Sequence, residues 1–191
     1  MAAATSPNQS AHDLLFKVRA QGLLRFSLRP LSAGDLRELA RIRALEQVAT
    51  FLPGGRLDPS QAARRVEWIA AESTRDWLTW GIGLTAIVED LSGQLIGYCG
   101  LNWIDSASKF QICYMLSPSF WGRGIATTSV GAVIDHARMH RICDEIIGLV
   151  PIDNVRSKKV LLRHGFAHRK NIKDGPTEIE YLVRVLQFDS A

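Results

Sequence analysis

Cysteine is scarce in this chain of 191 residues, and its three copies, Cys99, Cys113 and Cys143, are odd in number. No two stand at C-x-x-C spacing, which argues against a disulfide framework and a cysteine-based zinc site. All three sit in apolar stretches, where a free cysteine behaves as a small core residue and a reducing compartment is the natural setting. Also missing is any apolar run near the ~20 residues that span a bilayer. The N-terminal MAAATSPNQSAHDLL lacks the basic stretch and apolar run of a secretory leader. A cytoplasmic protein with no membrane partner is therefore expected. The five histidines, His12, His136, His140, His164 and His168, show no metal-ligand spacing, so no metal site is expected. Charge of one sign is not abundant either: 23 basic against 19 acidic residues leave a net +4. That mild excess suits contact with an anion without naming one. The basic segment 156–173 has Phe166 as its one aromatic residue, too few for the interleaved stacking of a nucleic-acid site.

What is present is ordinary globular composition, 47% hydrophobic and 22% charged, enough for one sizeable core. Residues 1–22 read as an extension, mobile at its start, with HDLLFKVRAQ (12–21) as a short helix closed by Gly22. Residues 23–191 read as one domain. LLRFSLR (23–29) alternates as a strand that Pro30 ends. Ser32 caps a helix with Asp35 in its first turn. After Pro53-Gly54-Gly55, a second helix starts at Asp58–Ser60 and runs to about Glu72. Residues 81–89, 94–103 and 110–116 read as an antiparallel meander. From Ala126, apolar residues recur at Val130, Val133, Ile134 and Ala137 with helical period. A strand (144–150), a helix (154–164, stopped by Gly165) and a last strand (179–188) complete the pattern. Such a succession predicts an α/β (α+β) fold: a mixed, mostly antiparallel sheet of six to seven strands with helices on both faces.

Two segments carry chemistry. In Leu116-Ser117-Pro118-Ser119-Phe120-Trp121-Gly122-Arg123-Gly124-Ile125-Ala126-Thr127 a strand runs out, a glycine-spaced turn follows and a helix begins. The first turn of a helix offers N–H groups without internal partners and a partial positive charge. Glycines let a bulky anion approach the backbone, so the segment can cradle a pyrophosphate, with Arg123 at the rim. G-x-G alone also fits a helix start that merely needs a turn. No Gly-Lys-Ser/Thr follows, and Thr127 stands where a dinucleotide fingerprint needs glycine. The second segment is Asn154-Val155-Arg156-Ser157, then Val160-Leu161-Leu162 and His164-Gly165-Phe166. By itself Asn154 reads equally as a helix N-cap.

Together these segments resemble the GNAT family of N-acetyltransferases, and most closely its branch that acetylates the N-terminal amine of ribosomal proteins, the RimJ/RimL-like enzymes. That branch shows G-Y-x-L-x-P, then W-G-K/R-G-Y-A-T, then N-x-x-S-x-x-V-L-x-x-x-G-F. This chain has C-Y-M-L-S-P at 113–118, W-G-R-G-I-A-T at 121–127 and N-V-R-S-K-K-V-L-L-R-H-G-F at 154–166. The resemblance covers about residues 26–188, with Leu28-Arg29-Pro30-Leu31, Asp35 and Leu95-Ile96-Gly97-Tyr98 as lesser matches.

The resemblance implies acetyl-coenzyme A as cofactor and a primary amine as acceptor, either a protein N-terminus or a small molecule. Tyr114, Met115 and Leu116 would pair with the pantetheine arm. Gly122, Arg123, Gly124, Ile125, Ala126 and Thr127 would hold the pyrophosphate, Asn154 the cofactor arm, and the basic residues around Lys159 the 3′-phosphate. Ser157 would protonate the leaving thiolate, and an N–H near Leu116 would stabilise the oxyanion. Departures from the pattern fall on the base: Gln111 stands where the family often has glutamate, Cys113 replaces a glycine and Thr128 a second glutamate. Asp105 is a weak substitute, better explained as a turn residue, and Cys113 as acyl carrier is disfavoured. Gln111 keeps a second reading alive, a non-catalytic acyl-coenzyme A-binding regulatory module. The acceptor and the oligomeric state are not encoded legibly; a homodimer stays open. For Trp68, Trp77, Trp80 and Trp103, core packing is preferred to an acceptor pocket.

Overall fold

A computed structural model describes residues 16–19 and 25–188. In chain order it has strands β1 (Phe16–Arg19) and β2 (Arg25–Pro30), helices α1 (Leu36–Ala44), α2 (Glu46–Ala49) and α3 (Pro59–Trp80), and strands β3 (Leu84–Glu89), β4 (Leu95–Ile104) and β5 (Lys109–Leu116). Helix α4 (Ile125–Met139), β6 (Glu145–Pro151), α5 (Val155–Arg163), β7 (Ala167–Asp174) and β8 (Thr177–Val185) follow. The strands form one sheet in the order β1-β2-β3-β4-β5-β6-β8-β7. Every neighbouring pair is antiparallel except β5 and β6, which α4 connects as a crossover. The mixed, mostly antiparallel sheet expected from the strand pattern is the observed one.

Two strands exceed expectation. Phe16–Arg19 lies inside the segment expected as a helix over 12–21; it is an edge strand paired with β2 from Phe16–Leu28 to Arg19–Arg25. The rest of that expected helix lies outside the described residues. The sheet thus reaches into the segment expected as an extension. β7, AHRKNIKD, is exposed at all but one position and pairs through β8 alone. A polar edge strand of this kind carries no alternation to read.

Helix α3 also runs two turns past its expected end. It starts as expected: Asp58 Oδ1 accepts from Gln61 N–H at 2.9 Å, and Pro59 opens the first turn. Its last turns grip the sheet through polar atoms. Ser73 Oγ accepts from Leu84 N–H at 2.7 Å, Trp77 Nε1 donates to Leu84 O at 3.1 Å, and Asp76 Oδ2 accepts from Trp103 N–H at 2.9 Å. Contacts of this type leave no apolar stripe, which is why periodicity fades at Glu72. Gly81, with φ 69°, ends the helix, and β3 begins at Leu84 rather than at residue 81.

The core has two parts, one on each face. Val130, Val133, Ile134 and Ala137 of α4 and Leu161 of α5 pack on Phe110, Ile112 and Leu116. Leu39 and Ile42 of α1 and Val66 of α3 pack on Leu84, Tyr98 and Met115 of the other face. Among the described residues no helix is long and apolar enough to cross a membrane.

Candidate active site

The feature that organises the site is an incomplete strand pair. β5 stays paired with β4 as far as Gly97–Leu116, yet pairs with β6 only at Phe110–Ile146 and Gln111–Ile147. Beyond Gln111 the two parallel strands part and leave a gap bordered by Ile112–Leu116 on one side. Backbone direction alternates along a strand. Ser117 N–H donates to Ile96 O of β4 at 2.8 Å, so the N–H groups of Leu116 and Tyr114 point the other way, into the gap. Met115 faces β4 with its backbone, its carbonyl lying where a Cβ on Gly97 would fall, and its side chain is buried on the α1–α3 face.

At the mouth of the gap lies the turn that leads into α4. Gly122 and Gly124 have φ of 76° and 77°, and nothing stands within 4 Å of where a Cβ would be. The first bond of the α4 ladder runs from Thr128 N–H to Gly124 O at 2.9 Å. The N–H groups of Ile125, Ala126 and Thr127 therefore stand ahead of the ladder, beside an exposed Arg123. Trp121 Nε1 donates to Leu116 O at 2.9 Å and ties this turn to the end of β5. Arg156 of α5 lies over the Trp121 ring at 5.0 Å, and Arg123 over Phe120 at 5.2 Å. His164 Nε2 lies 2.7 Å from Thr127 O and braces the first turn of α4 from the end of α5.

On the far side, Asn154 is indeed an N-cap: its Oδ1 accepts from Ser157 N–H at 3.1 Å. That leaves its amide Nδ2 for a second partner. Ser157 Oγ lies 2.7 Å from Tyr114 Oη, which also donates to Ser157 O at 3.1 Å. The Tyr114 ring thus bridges β5 and α5 beneath the gap, and its burial pushes the phenol pKa up although Ser157 pulls it down. Lys158 is committed to Glu180 at 2.6 Å, while Lys159 is exposed and enters no ion pair among the described residues.

Gln111 sits at the last paired rung before the strands part. Asp105 is in the β4–β5 turn, 75% exposed and 3.8 Å from Arg75. Seven residues separate Lys109 from Leu116 along β5, roughly 23 Å at strand rise, so Asp105 is remote from the gap's open end. Burial pushes the Cys113 thiol up to about 12, which keeps it protonated and unreactive at neutral pH. Among the described residues no cluster of His, Cys, Asp or Glu could hold a metal. Core packing describes Trp103, 5.0 Å from Phe110; Trp77 is half-buried and held by its bond to Leu84 O, while Trp80 and Trp68 are 41% and 50% exposed, Trp68 beneath Arg65.

Comparison with known proteins agrees with this geometry. Residues 25–167 match the model of the acetyltransferase (GNAT) domain. The chain belongs to the GNAT acetyltransferase family. This acetyltransferase-family chain is 28% identical over 104 residues to an uncharacterized N-acetyltransferase p20 of Bacillus licheniformis; the match covers 54% of this chain and spans 58% of the relative's length. Its fold is similar to that of Mycobacterium smegmatis RimJ in complex with CoA-disulfide, with TM-score 0.74 at 21% identity, over 91% of this chain and 88% of that one. It is also similar to RimL, a ribosomal L7/L12 alpha-N-protein acetyltransferase in complex with coenzyme A, with TM-score 0.71 at 16% identity, over 90% and 95% of the two chains.

The residues present fit the family's cofactor. Open space at Gly122 and Gly124, free helix N–H groups and the flanking arginines suit a pyrophosphate, and the unpaired edge of β5 suits an amide-bearing arm. Trp121, Tyr114 as a bridge and His164 were missed as structural members of the site. Trp121 stands in the quoted motif, but nothing in a sequence says that its indole bonds the strand before it.

Proposed function

We propose that this protein transfers an acetyl group from acetyl-coenzyme A to a primary amine. The observation that carries this is the gap past Gln111, lined by the N–H groups of Tyr114 and Leu116 and closed below by the Tyr114–Ser157 hydroxyl pair. Acetyl-coenzyme A, when bound, supplies an activated acetyl thioester. Gly122–Thr127 bind its pyrophosphate, Tyr114 and Leu116 its pantetheine arm, and Asn154 Nδ2 adds a donor from α5. Leu116 N–H would donate to the thioester oxygen as charge develops there on attack by the neutral amine. Ser157 Oγ–H, oriented by Tyr114, would give its proton to the departing sulfur, and the proton shed by the attacking nitrogen, passed through solvent, would restore the hydroxyl. An α-amine with a pKa of about 7.7–8.0 is partly neutral at pH 7 and needs only a modest base, so Gln111 does not stop the reaction.

A protein N-terminal α-amine is the acceptor named for RimL, and it is the first acceptor class to test here. Nothing observed favours the non-catalytic module over the enzyme. The test is a screen of N-terminal peptides and small amines with acetyl-coenzyme A, read by thiol release, beside calorimetric binding of coenzyme A and ATP. Thiol release that depends on the amine, with coenzyme A bound more tightly than ATP, supports the proposal. Cofactor binding without turnover on any acceptor would overturn it.

A further inference from the structure

The first turn of α4, whose N–H groups are offered to the pyrophosphate, is held from outside by one ring. His164 is the C-cap residue of α5, half-buried, and its Nε2 lies 2.7 Å from Thr127 O. A carbonyl oxygen only accepts, so Nε2 carries the proton and donates. Thr127 belongs to the open turn: its own N–H stands ahead of the ladder, whose first bond runs from Thr128 N–H to Gly124 O. The helix leaves the groups of its first turn without internal partners. A bond to Thr127 O from a second element therefore fixes what α4 alone holds loosely.

The sequence makes room for this ring. Gly131 lies one turn further along α4, and a Cβ there would stand 3.0 Å from His164 Cε1, inside the 3.4 Å at which ordinary van der Waals contact begins. Glycine is among the poorest helix formers, yet Gly131 lies in the middle of a 15-residue helix with no positive φ to account for it. What it permits is the close approach of the imidazole. Thr127 and Gly131 are four residues apart and so share one face of α4, along which the ring lies. The ring's own mount is fixed as well: Lys158 of α5 meets Glu180 of β8 at 2.6 Å, and Glu180 is 6% exposed.

We propose that His164 is a positioning residue for the cofactor, which through Thr127 holds the first turn of α4 in the geometry that binds the pyrophosphate. The inference rests on the coenzyme A reading of the site and adds a residue that acts through another. It is tested with two donors, acetyl-coenzyme A and acetyl-pantetheine, the second keeping the thioester and the arm without the pyrophosphate. Calorimetry reads coenzyme A affinity, and thiol release reads kcat/KM for each donor. H164A is expected to bind coenzyme A about fivefold more weakly, the scale of one hydrogen bond, and to lose a similar factor in kcat/KM for acetyl-coenzyme A through KM. Its kcat/KM for acetyl-pantetheine stays within about twofold of native. H164Q, with an amide donor at similar reach, recovers most of the affinity. G131A disturbs the seat of the ring without removing it: it weakens coenzyme A binding by about twofold in the native background and has no such effect in H164A.

Native affinity for coenzyme A in H164A, equal losses with both donors, H164Q as weak as H164A, or a G131A effect that persists in H164A would each overturn the role. If no amine is acetylated, the transfer reading fails separately, and calorimetry of coenzyme A across H164A, H164Q and G131A still decides the brace. If the native protein binds no coenzyme A, the cofactor reading fails and takes the brace with it.

Discussion

On the face covered by α4 and α5, polar side chains beside the gap come in matched sets. Tyr114 meets Ser157, Asn154 caps Ser157 N–H, Trp121 meets Leu116 O and His164 meets Thr127 O. What stays open beside the gap is backbone, the unpaired edge of β5 and the first turn of α4; away from it, Ser129 Oγ, Glu180 Oε2 and Arg184 Nε are buried without a hydrogen-bond partner. On the face covered by α1 and α3 the open groups are side chains. Arg43 Nη1 and Asp76 Oδ1 are buried without a hydrogen-bond partner, Asp76 Oδ1 having only Arg75 at 3.9 Å, although Asp35, on the same face, is fully engaged. One face thus presents peptide groups, whose positions the fold fixes. The other offers charges, whose partners a ligand or a mutation can change. The contrast between Asp35 and Asp76 then separates a fully bonded carboxylate from a half-bonded one.

The largest effect is expected at Asp35, 5% exposed. Arg29 donates to its two oxygens at 2.7 Å each, and Ser32 N–H and Oγ add bonds at 2.7 and 2.9 Å. D35N breaks this set and leaves Arg29 partly buried without its counter-charge. A loss of about 3 kcal/mol is expected, at the low end for buried pairs because Arg29 is one-third exposed. Thermal denaturation should show Tm lower by roughly 6–12 °C. Desolvation would raise the Asp35 pKa, but the bonds from Arg29 and Ser32 outweigh it and hold it low. Its contribution is therefore present above the ordinary carboxylate pKa of about 3.9 and is lost as pH falls through the lowered value. Should D35N melt with the native protein at neutral pH, the matched set is not scaffold.

Next in size is the hydroxyl pair on the other face. S157A is expected to lower kcat by about 100-fold, the low end for a lost general acid, while coenzyme A affinity changes less than about twofold. Y114F, which leaves the Ser157 hydroxyl but removes its partner, should lower kcat by less, roughly tenfold. Pre-steady-state turnover and calorimetry on the same samples separate the two quantities. Equal losses in turnover and affinity would make the pair part of the binding surface and erase the functional difference between Ser157 and Asn154.

These two faces were not equally legible in the sequence. The cofactor side could be read because backbone binding needs glycines at fixed spacing before a helix, and Gly122, Gly124, Asn154 and Ser157 all lie within two short segments. Its bracing could not, since Trp121–Leu116 and His164–Thr127 depend on how the segments meet in space. The α1–α3 side was nearly silent. A surface arginine and a buried one such as Arg43 look alike in a chain. The strand and helix limits that failed did so for a similar reason. β7 is polar on both faces, and the last two turns of α3 hold the sheet with Ser73, Asp76 and Trp77 through hydrogen bonds, not through an apolar stripe.

The smallest effect, and the one of opposite sign, is expected at Asp76. This carboxylate is 1% exposed and accepts Trp103 N–H at 2.9 Å through Oδ2, while Oδ1 has no hydrogen-bond partner and lies 3.9 Å from Arg75. Desolvation raises its pKa, against the bond from Trp103. The native state therefore favours the protonated form. Stability tied to this group is fully present below the ordinary carboxylate pKa and is lost as pH rises through the raised value. D76N keeps an oxygen for Trp103 N–H and puts an amide where Oδ1 was, without a charge to desolvate. It should stabilise the protein by about 1 kcal/mol at pH 7, or roughly 2–4 °C in Tm, and the gain should shrink as the pH is taken below the ordinary carboxylate range. Asp35 and Asp76 would then be two buried aspartates on one face whose removal moves Tm in opposite directions. A lower Tm for D76N at pH 7 would mean that Arg75, at 3.9 Å, compensates the charge after all, and that an unbonded oxygen on this face does not mark an uncompensated charge.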